Sequence, residues 1–228
     1  MSDLNSTTWM PAAQWPGTLR QRYFYRAEGR AADLRGARTW IEVAFTAGSY
    51  RGCSIDATWQ DDAGRRLLHV LANVGTPRPA LSYGGPSGPL AQAVAEPDEG
   101  RAHVERGGDS DDYALPAGLP FLWRLVWPLA IQFVPWHAGL AGALSMFDLA
   151  TASGSPFSDG PTTVDITTED GEAMVAAPNG GQRSVACWMI TARGPGWSEV
   201  AWVGKGGEGL VRFDLHSADS AILMGRAG

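Results

Sequence analysis

A carboxylate and an imidazole lie in one predicted β-hairpin of this 228-residue chain. The segment GCSIDATWQ is followed by DDAG and then by RRLLHVLANVG, an alternation of apolar and polar residues that predicts two paired strands. A four-residue loop over residues 61–64 pairs Gln60 with Arg65 and places Asp56 directly opposite His69. A carboxylate beside an imidazole can form or orient a general base. On a solvent-exposed face the same pair is only a weak ion pair, and the sequence leaves both interpretations open.

Glu42 is a third candidate acid or base. It lies in the predicted strand 38–45, in the segment TWIEVAF, where its side chain faces either a lumen or water. If the face that carries Asp56, His69 and Glu42 lines a lumen, these three residues are the predicted catalytic groups. If it faces solvent, Glu42 is an ordinary surface residue.

Tryptophans form the second candidate site. Seven of the ten in the chain are spread over both halves of the sequence, and such side chains bury large areas while keeping one N–H to satisfy. They are predicted to line an apolar pocket for a flat or lipid-like ligand, because the interior of a barrel of this size can hold one small molecule. Plain core packing is the alternative for each of them. The set is Trp40, Trp59, Trp123, Trp127, Trp136, Trp188 and Trp202.

The faces of the hairpin strands decide which of these side chains point inward. The favoured register places the apolar residues from Cys53 to Trp59 on the same face as those from Leu68 to Ala72, whereas a slip of one residue exposes a buried set. Cys53 and Cys187 both lie in apolar strands, which predicts two buried free thiols and no disulfide. No metal site and no cofactor are predicted, because the histidines stand alone and no phosphate-loop or dinucleotide motif is present.

One long apolar segment, residues 115–149, must be enclosed by the other elements. Up to Val134 its only interior polar side chains are Arg124 and Gln132, so it has no polar face to present to water. The sequence predicts one principal apolar helix within residues 120–134 that acts as a plug inside a sheet. Pro128 either kinks this helix or begins a second short one, and Pro135 ends it. The run is too short and too polar to span a bilayer, so no transmembrane segment is predicted.

The rest of the chain reads as short strands separated by turns. Residues 76–89, TPRPALSYGGPSGP, predict a long surface loop, and the Asp-Gly pair at 170–171 predicts a hairpin turn. The predicted fold class is mostly β: a curved antiparallel sheet or open barrel, built as a meander and wrapped around one apolar helix. Residues 1–16 are predicted to be a loose lead-in, and residues 17–228 a single barrel-like domain with the plug near 120–134.

Charge and the N-terminal sequence limit the partners and the compartment. The net charge is −6, with no cluster of Lys or Arg, so the electrostatic term that supplies most nucleic-acid affinity is missing and no nucleic-acid partner is predicted. The sequence as given begins without a basic region followed by an apolar one, which predicts a cytoplasmic protein. An exported or periplasmic location is the alternative if a signal peptide has been removed.

The second half of the chain resembles an uncharacterised bacterial family of lipoprotein-carrier-like β half-barrel proteins. The resemblance covers residues 115–216 and is carried by LPAG, the apolar plug, the strand ending in MFDL, and the segments VACWMITA and SEVAWVGKGGEGLVRFDL. It implies a curved antiparallel sheet around a helix with an apolar cavity, and it implies no reaction. Members of that family are mostly exported, a feature from which this sequence departs.

Two functions remain as predictions from the sequence. The first is binding of a hydrophobic or lipid-like small molecule in an aromatic-lined barrel cavity. The second is a cofactor-independent enzyme, such as a cyclase, isomerase or hydrolase, that acts on an apolar substrate in the same cavity. A carrier predicts a uniformly apolar cavity, whereas an enzyme predicts a buried titratable group with a shifted pKa.

Overall fold

The computed structural model describes residues 18–29, 38–47, 52–149, 160–176, 181–217 and 220–226. The predicted lead-in over residues 1–16 lies outside these ranges. Within them the chain forms fifteen β-strands and one short α-helix. The strands are β1 Thr18–Gly29, β2 Arg38–Ala47, β3 Cys53–Gln60, β4 Arg66–Val74, β5 Ala80–Gly85, β6 Gly88–Glu96, β7 Arg101–Arg106, β8 Asp109–Ala114, β9 Phe121–Trp123, β10 Ala141–Asp148, β11 Gly160–Ala176, β12 Gln182–Gly194, β13 Trp197–Gly204, β14 Gly209–Ser217 and β15 Ser220–Arg226.

All fifteen strands belong to one sheet that does not close through hydrogen bonds. Neighbours in sequence are neighbours in the sheet from β1 to β8 and from β9 to β15, and β1 pairs with β15, so the two free ends are β8 and β9. Every pairing is antiparallel except that of β9 with β10, which is parallel. The predicted fold class, a mostly antiparallel meander curved into an open barrel, is confirmed.

Alternating burial gives the sheet an inner and an outer face. In β3 the residues at every second position are buried, from Cys53 to Trp59, and their partners Leu68, Val70 and Ala72 are buried with them. The inner faces pack on the plug in one hydrophobic core cluster that spans most of the strands. The predicted inward faces of the β3–β4 hairpin are therefore correct.

The plug contains a shorter α-helix than the sequence predicts. After β9 it consists of a 3₁₀ turn Arg124–Val126, the helix α1 Trp127–Ala130 and a second 3₁₀ turn Ile131–Phe133. A helix does lie within residues 120–134, as predicted, and Pro128 lies in its first turn, which agrees with the second of the two predicted roles of this proline. Proline is well accommodated there because the first amides of a helix have no partner within the helix.

Two predicted turns are strands in the structure. Residues 76–89 contain β5 and the start of β6, because Leu81 and Tyr83 alternate into the core while the prolines fall at or beyond the strand ends. The Asp-Gly pair at 170–171 lies within the continuous strand β11, where Gly171 pairs with Cys187. A Cβ on Gly171 would come within 3.2 Å of Met189, so this glycine permits close strand packing instead of a turn.

Both cysteines are buried free thiols, as predicted. Cys53 lies in β3 and Cys187 in β12, strands that are not neighbours in the sheet. Burial raises the pKa of the Cys53 thiol to about 12. Neither side chain is therefore poised to act as a nucleophile.

Candidate functional site

The β3–β4 hairpin has a different register from the predicted one. Gln60 pairs with Arg66 and His69 lies opposite Thr58, with a bulge next to Gln60. The loop is five residues long, because a carboxylate oxygen of Asp61 accepts hydrogen bonds at 2.9 Å from the backbone N–H groups of Ala63 and Arg65. The predicted register is thus wrong by two residues over most of the hairpin, and because two is an even number the inner and outer faces are unchanged.

Asp56 and His69 nevertheless contact each other. They are diagonal neighbours across the two strands, and His69 Nε2 lies 2.9 Å from Asp56 Oδ1, a hydrogen-bond distance. Both side chains are on the outer face: that of Asp56 is 56% exposed and that of His69 is 31% exposed. Their predicted catalytic role stays a prediction.

Glu42 lies on the same outer face, on β2. Gln60 Nε2 donates to its carboxylate at 3.4 Å, and Arg22 Nε is 3.9 Å from its other oxygen. Glu42 and Asp56 both line a shallow depression of about 460 Å³, together with Arg20 and Arg22. The structure therefore places the three predicted acid–base residues on one exposed surface and not in a lumen.

A larger groove crosses the outer face from β2 to β7, with a volume of about 560 Å³; we call it the outer groove. Its floor consists of two neighbouring rows of outward-facing residues. Each row runs perpendicular to the strands and contains one residue from each of the strands β2 to β7. Strand pairing aligns the first row directly: Ala44, Asp56, Leu71, Ser82, Gln92 and Glu105. The second row lies beside it: Thr46, Ser54, Asn73, Ala80, Val94 and His103.

The depth of the outer groove follows from the sizes of its side chains. The small residues Ala80 and Ser82 of β5 occupy the middle of the floor, and longer side chains lie beside them. Leu71 and Val94 also lie on this floor and are 46% and 36% exposed. The middle of the groove is uncharged and partly aliphatic, and ionisable side chains lie towards both ends.

The far end of the outer groove carries a second imidazole with carboxylates. His103 Nδ1 lies 2.9 Å from Asp112 on β8, and its Nε2 lies 3.5 Å from Glu105. The hydrogen bond with Asp112 is the main reason that the pKa of His103 is raised above its usual value. Gln92 Nε2 donates to Glu105 at 2.5 Å. Sequence reasoning missed this pair, although Gly107-Gly108 between HVER and DSDDY is a hairpin signal that would have placed β7 beside β8.

Four of the seven predicted ligand-binding tryptophans lie in the core. Trp59, Trp123 and Trp127 are at most 2% exposed, and Trp136 is 7% exposed. The indole N–H of Trp136 donates to the Ile131 carbonyl at 2.7 Å. A buried aromatic cluster therefore forms part of the interior of this β-barrel-like fold.

The other three predicted tryptophans are half-buried, and each has a cationic side chain over its ring. The Arg22 guanidinium carbon lies 4.3 Å from the ring centroid of Trp40, Lys205 Nζ lies 3.9 Å from Trp188, and the Arg212 guanidinium carbon lies 5.0 Å from Trp202. Such contacts shield the ring faces from water. The structure thus divides the predicted set into an interior group and a cation-covered group, and it does not bring all seven together.

The two polar residues of the plug attach it to the sheet. Arg124 and Glu199 form an ion pair at 2.5 Å, with both side chains at most 5% exposed, and the Trp197 ring lies 3.5 Å from the Arg124 guanidinium carbon. Gln132 Oε1 accepts a hydrogen bond from the backbone N–H of Leu210 at 3.3 Å. Sequence reasoning noted Arg124 and Gln132 as the polar residues of the plug, but their partners are distant in sequence and could not be predicted.

The described residues contain neither a metal-binding cluster nor a membrane-spanning helix. Within them there is no group of three or more His, Cys, Asp or Glu side chains that could hold a metal ion. No helix in the same ranges is long and apolar enough to cross a membrane.

Comparison with known proteins identifies the architecture alone. No family model matches the chain, and no curated protein matches it. A crystal structure described as a beta-barrel-like protein of domain of unknown function DUF1849, from Brucella abortus, is similar over 97% of this chain and 98% of that chain, with a TM-score of 0.55 and 10% identity. At this identity the similarity shows a β-barrel-like fold, and the link to lipoprotein carriers stays a prediction.

Proposed function

We propose that this protein binds a small molecule with an apolar part, and that the ligand lies in the outer groove. The observation that carries the proposal is an open groove of about 560 Å³ whose middle is uncharged and partly aliphatic, with ionisable side chains towards both ends. That volume falls in the range of about 300–1,000 Å³ that is typical of ligand pockets. A mostly apolar surface with a few placed polar groups is also typical of such sites.

Exposed aliphatic side chains in the floor supply the driving force for binding. Leu71 and Val94 lie on adjacent rows, and covering them removes apolar surface from water, which stabilises a complex by about 25 cal/mol per Å². Neighbouring Ala80 is small enough to leave room for a ligand between them. The polar groups at the ends then orient the molecule.

The barrel interior is the competing location for the ligand. It is favoured by the indole N–H groups of Trp123 and Trp127, which are buried and have no hydrogen-bond partner among the described residues. A ligand there would have to displace part of the packed plug, whereas the outer groove needs no such movement. The interior therefore remains the second candidate site.

Catalysis is the second candidate function, and the observation that favours it is the hydrogen bond between Asp56 and His69 at the edge of the outer groove. Asp56 would hold the tautomer of His69 while the imidazole takes a proton from a substrate in the groove. Once a substrate is found, His69→Ala and Asp56→Asn should each lower turnover by about a hundredfold. Full activity in both folded variants would leave ligand binding alone.

The test of ligand binding uses N-phenyl-1-naphthylamine, an uncharged apolar fluorescent probe. Ser82→Trp fills the middle of the outer groove and should weaken probe binding at least tenfold. Met174→Ser, which changes an exposed hydrophobic residue on β11 outside the groove, should leave it unchanged. Wild-type affinity in Ser82→Trp would overturn the proposed location, and a loss confined to Trp127→Leu would place the ligand inside the barrel.

A further inference from the structure

We infer that the ligand of the outer groove is an elongated molecule with an aliphatic middle and a cationic group at each end. This inference rests on the proposed function, because it names the chemistry that the same groove would select. In the bound state the chain of the ligand lies across the strands. Its two cations lie at Asp56 and Glu105.

The two carboxylates lie towards opposite ends of one row of the outer groove. Asp56 on β3 and Glu105 on β7 belong to the same row of directly paired residues, with Leu71, Ser82 and Gln92 between them. Four spacings between neighbouring strands separate them, which is about 19 Å measured along the sheet. The row therefore fits a ligand that is long and narrow.

The stretch of the groove between the two carboxylates is uncharged. Leu71, Ala80 and Val94 give this part of the floor an aliphatic surface, and the polar side chains beside them, such as Ser82, carry no charge. A methylene chain can cover this surface without leaving a charge desolvated. A charged group in the middle of the ligand would find no partner of opposite sign here.

The charged side chains of the outer groove determine which sign of charge on a ligand is favoured. The two rows of the outer groove contain the carboxylates of Asp56 and Glu105, the imidazole of His103 and no lysine or arginine. His103 is paired with Asp112 on β8, whose carboxylate balances the charge of a protonated imidazole and leaves Glu105 as the excess charge at this end. Asp56 is 56% exposed and Glu105 is 51% exposed, so both can be reached by a ligand. Asp56 already contacts His69, and Glu105 contacts Gln92 and His103, but a carboxylate has further acceptor positions for an ammonium group. The ends of the groove are thus complementary to cations and repel anions.

A ligand with two cationic ends should bind more tightly than a ligand with one. Once one ammonium group is bound, the second is held near the other carboxylate at a high effective concentration, provided that the chain spans the gap. Exposed ion pairs are individually weak, so each end contributes a factor of at most about five in affinity. The groove should consequently prefer long diamines over both monoamines and short diamines.

The experiment compares 1,12-diaminododecane with 1-aminododecane, 1,6-diaminohexane and dodecanedioate, by displacement of N-phenyl-1-naphthylamine at low ionic strength. We expect the long diamine to bind at least threefold more tightly than each of the other three, and this advantage to fall as salt is added. Asp56→Asn and Glu105→Gln should each reduce its affinity about threefold to fivefold. Asp165→Asn, an exposed carboxylate on β11, should have no effect.

The outcomes separate this inference from the proposed function. If the probe binds and is lost in Ser82→Trp, but the diamine and the diacid displace it equally, the charge selectivity is wrong and the proposed site stands. If the long diamine gains nothing over the monoamine, the two-ended ligand is wrong. If neither the probe nor the diamine responds to Ser82→Trp, the groove is not a ligand site and both proposals fail.

Discussion

At the scale of single residues, His103 offers a direct test of the electrostatics of the outer groove. Its hydrogen bond with Asp112 raises its pKa, with a smaller contribution from Glu105. We expect Asp112→Asn to lower the pKa of His103 toward its ordinary value, as measured by NMR titration of the imidazole. Asp98→Asn is the control. Asp98 is also an exposed acid but is not among the groups that shift the pKa of His103, so this pKa should stay unchanged.

The sign of the pH effect follows from the same pair. Because the folded-state pKa of His103 lies above its unfolded value, the interaction stabilises the fold fully below the unfolded pKa. This contribution is lost as the pH rises through the folded pKa. A folded Asp112→Asn variant whose His103 titrates as in the wild type would show that Asp112 is not the cause.

Residue contacts were predictable from the sequence only where the period of a strand decides them. The alternation of β3 and β4 was sufficient to place Asp56 and His69 on one face, and their proximity survives an error of two residues in the register. The five-residue loop depends on how Asp61 bonds to the backbone, which alternation does not encode. His103 and Asp112 were missed because β8 is polar at nearly every position, so no apolar pattern marks it as a strand.

At the scale of elements, the attachment of the plug to β13 is the next test. Glu199→Ala leaves the buried guanidinium of Arg124 without its carboxylate, which should lower the free energy of unfolding by about 3–5 kcal/mol. Chemical denaturation measures this value. Glu42→Ala removes an exposed ion pair instead and should cost less than about 1 kcal/mol. Equal losses in the two variants would contradict the anchoring role of Glu199.

The free edge of the sheet at β8 is a second element with a testable property. Asp111 lies opposite the buried Val104, so a charge occupies the inner side of an edge strand, a device that discourages pairing with another chain. Asp111→Val should therefore promote self-association, detected by sedimentation velocity. Asp165→Val makes the same change on β11, a strand paired on both sides, and should remain like the wild type. A monodisperse Asp111→Val sample with the wild-type sedimentation coefficient would refute this role of Asp111.

Elements were predicted where apolar periodicity is strong and mistaken where local signals compete with the sheet. Gly171 follows an aspartate, as in many turns, but β11 pairs with β12 without a break from Asp165 to Ala176 and so continues across it. The buried side chains change faces along the way, from that of Val164 and Ile166 to that of Ala173. The helix in the plug was predicted in the right place, yet its enclosure by the sheet allows short 3₁₀ turns in place of a long helix. These outcomes depend on tertiary packing, which no local window of sequence contains.

At the scale of the whole molecule, the sequence predicts a ligand site inside the barrel, whereas the outer groove lies on the outer face of the sheet. The sequence correctly indicates an aromatic-rich plug within a curved sheet, but tryptophan is equally able to pack in a core or to lie under a cation. Trp127 and Trp40 illustrate the two cases: Trp127 lies in the apolar plug, whereas Trp40 shares a strand face with Glu42. The outer groove was not predictable, because its floor combines residues from six strands whose registers must all be known.

The two ends of the sheet meet through side chains instead of a hydrogen-bonded ladder. The ring of Tyr113 on β8 packs edge-on against Phe147 on β10, with 5.1 Å between the ring centroids, and Phe147 packs on the buried Trp123. Tyr113→Ala should lower the free energy of unfolding by about 1–3 kcal/mol, because a half-buried ring and its aromatic pair are lost.

Hydrogen exchange read by mass spectrometry locates the effect of this change. Protection should fall first in β8, β9 and β10, while β1 and β15 at the middle of the sheet keep theirs, because local opening follows the contacts that are lost. Tyr113→Phe keeps the ring pair and should exchange nearly as the wild type does. A uniform loss of protection over all strands in Tyr113→Ala would mean that the aromatic contact supports the whole core, and that the ends of the sheet do not open independently.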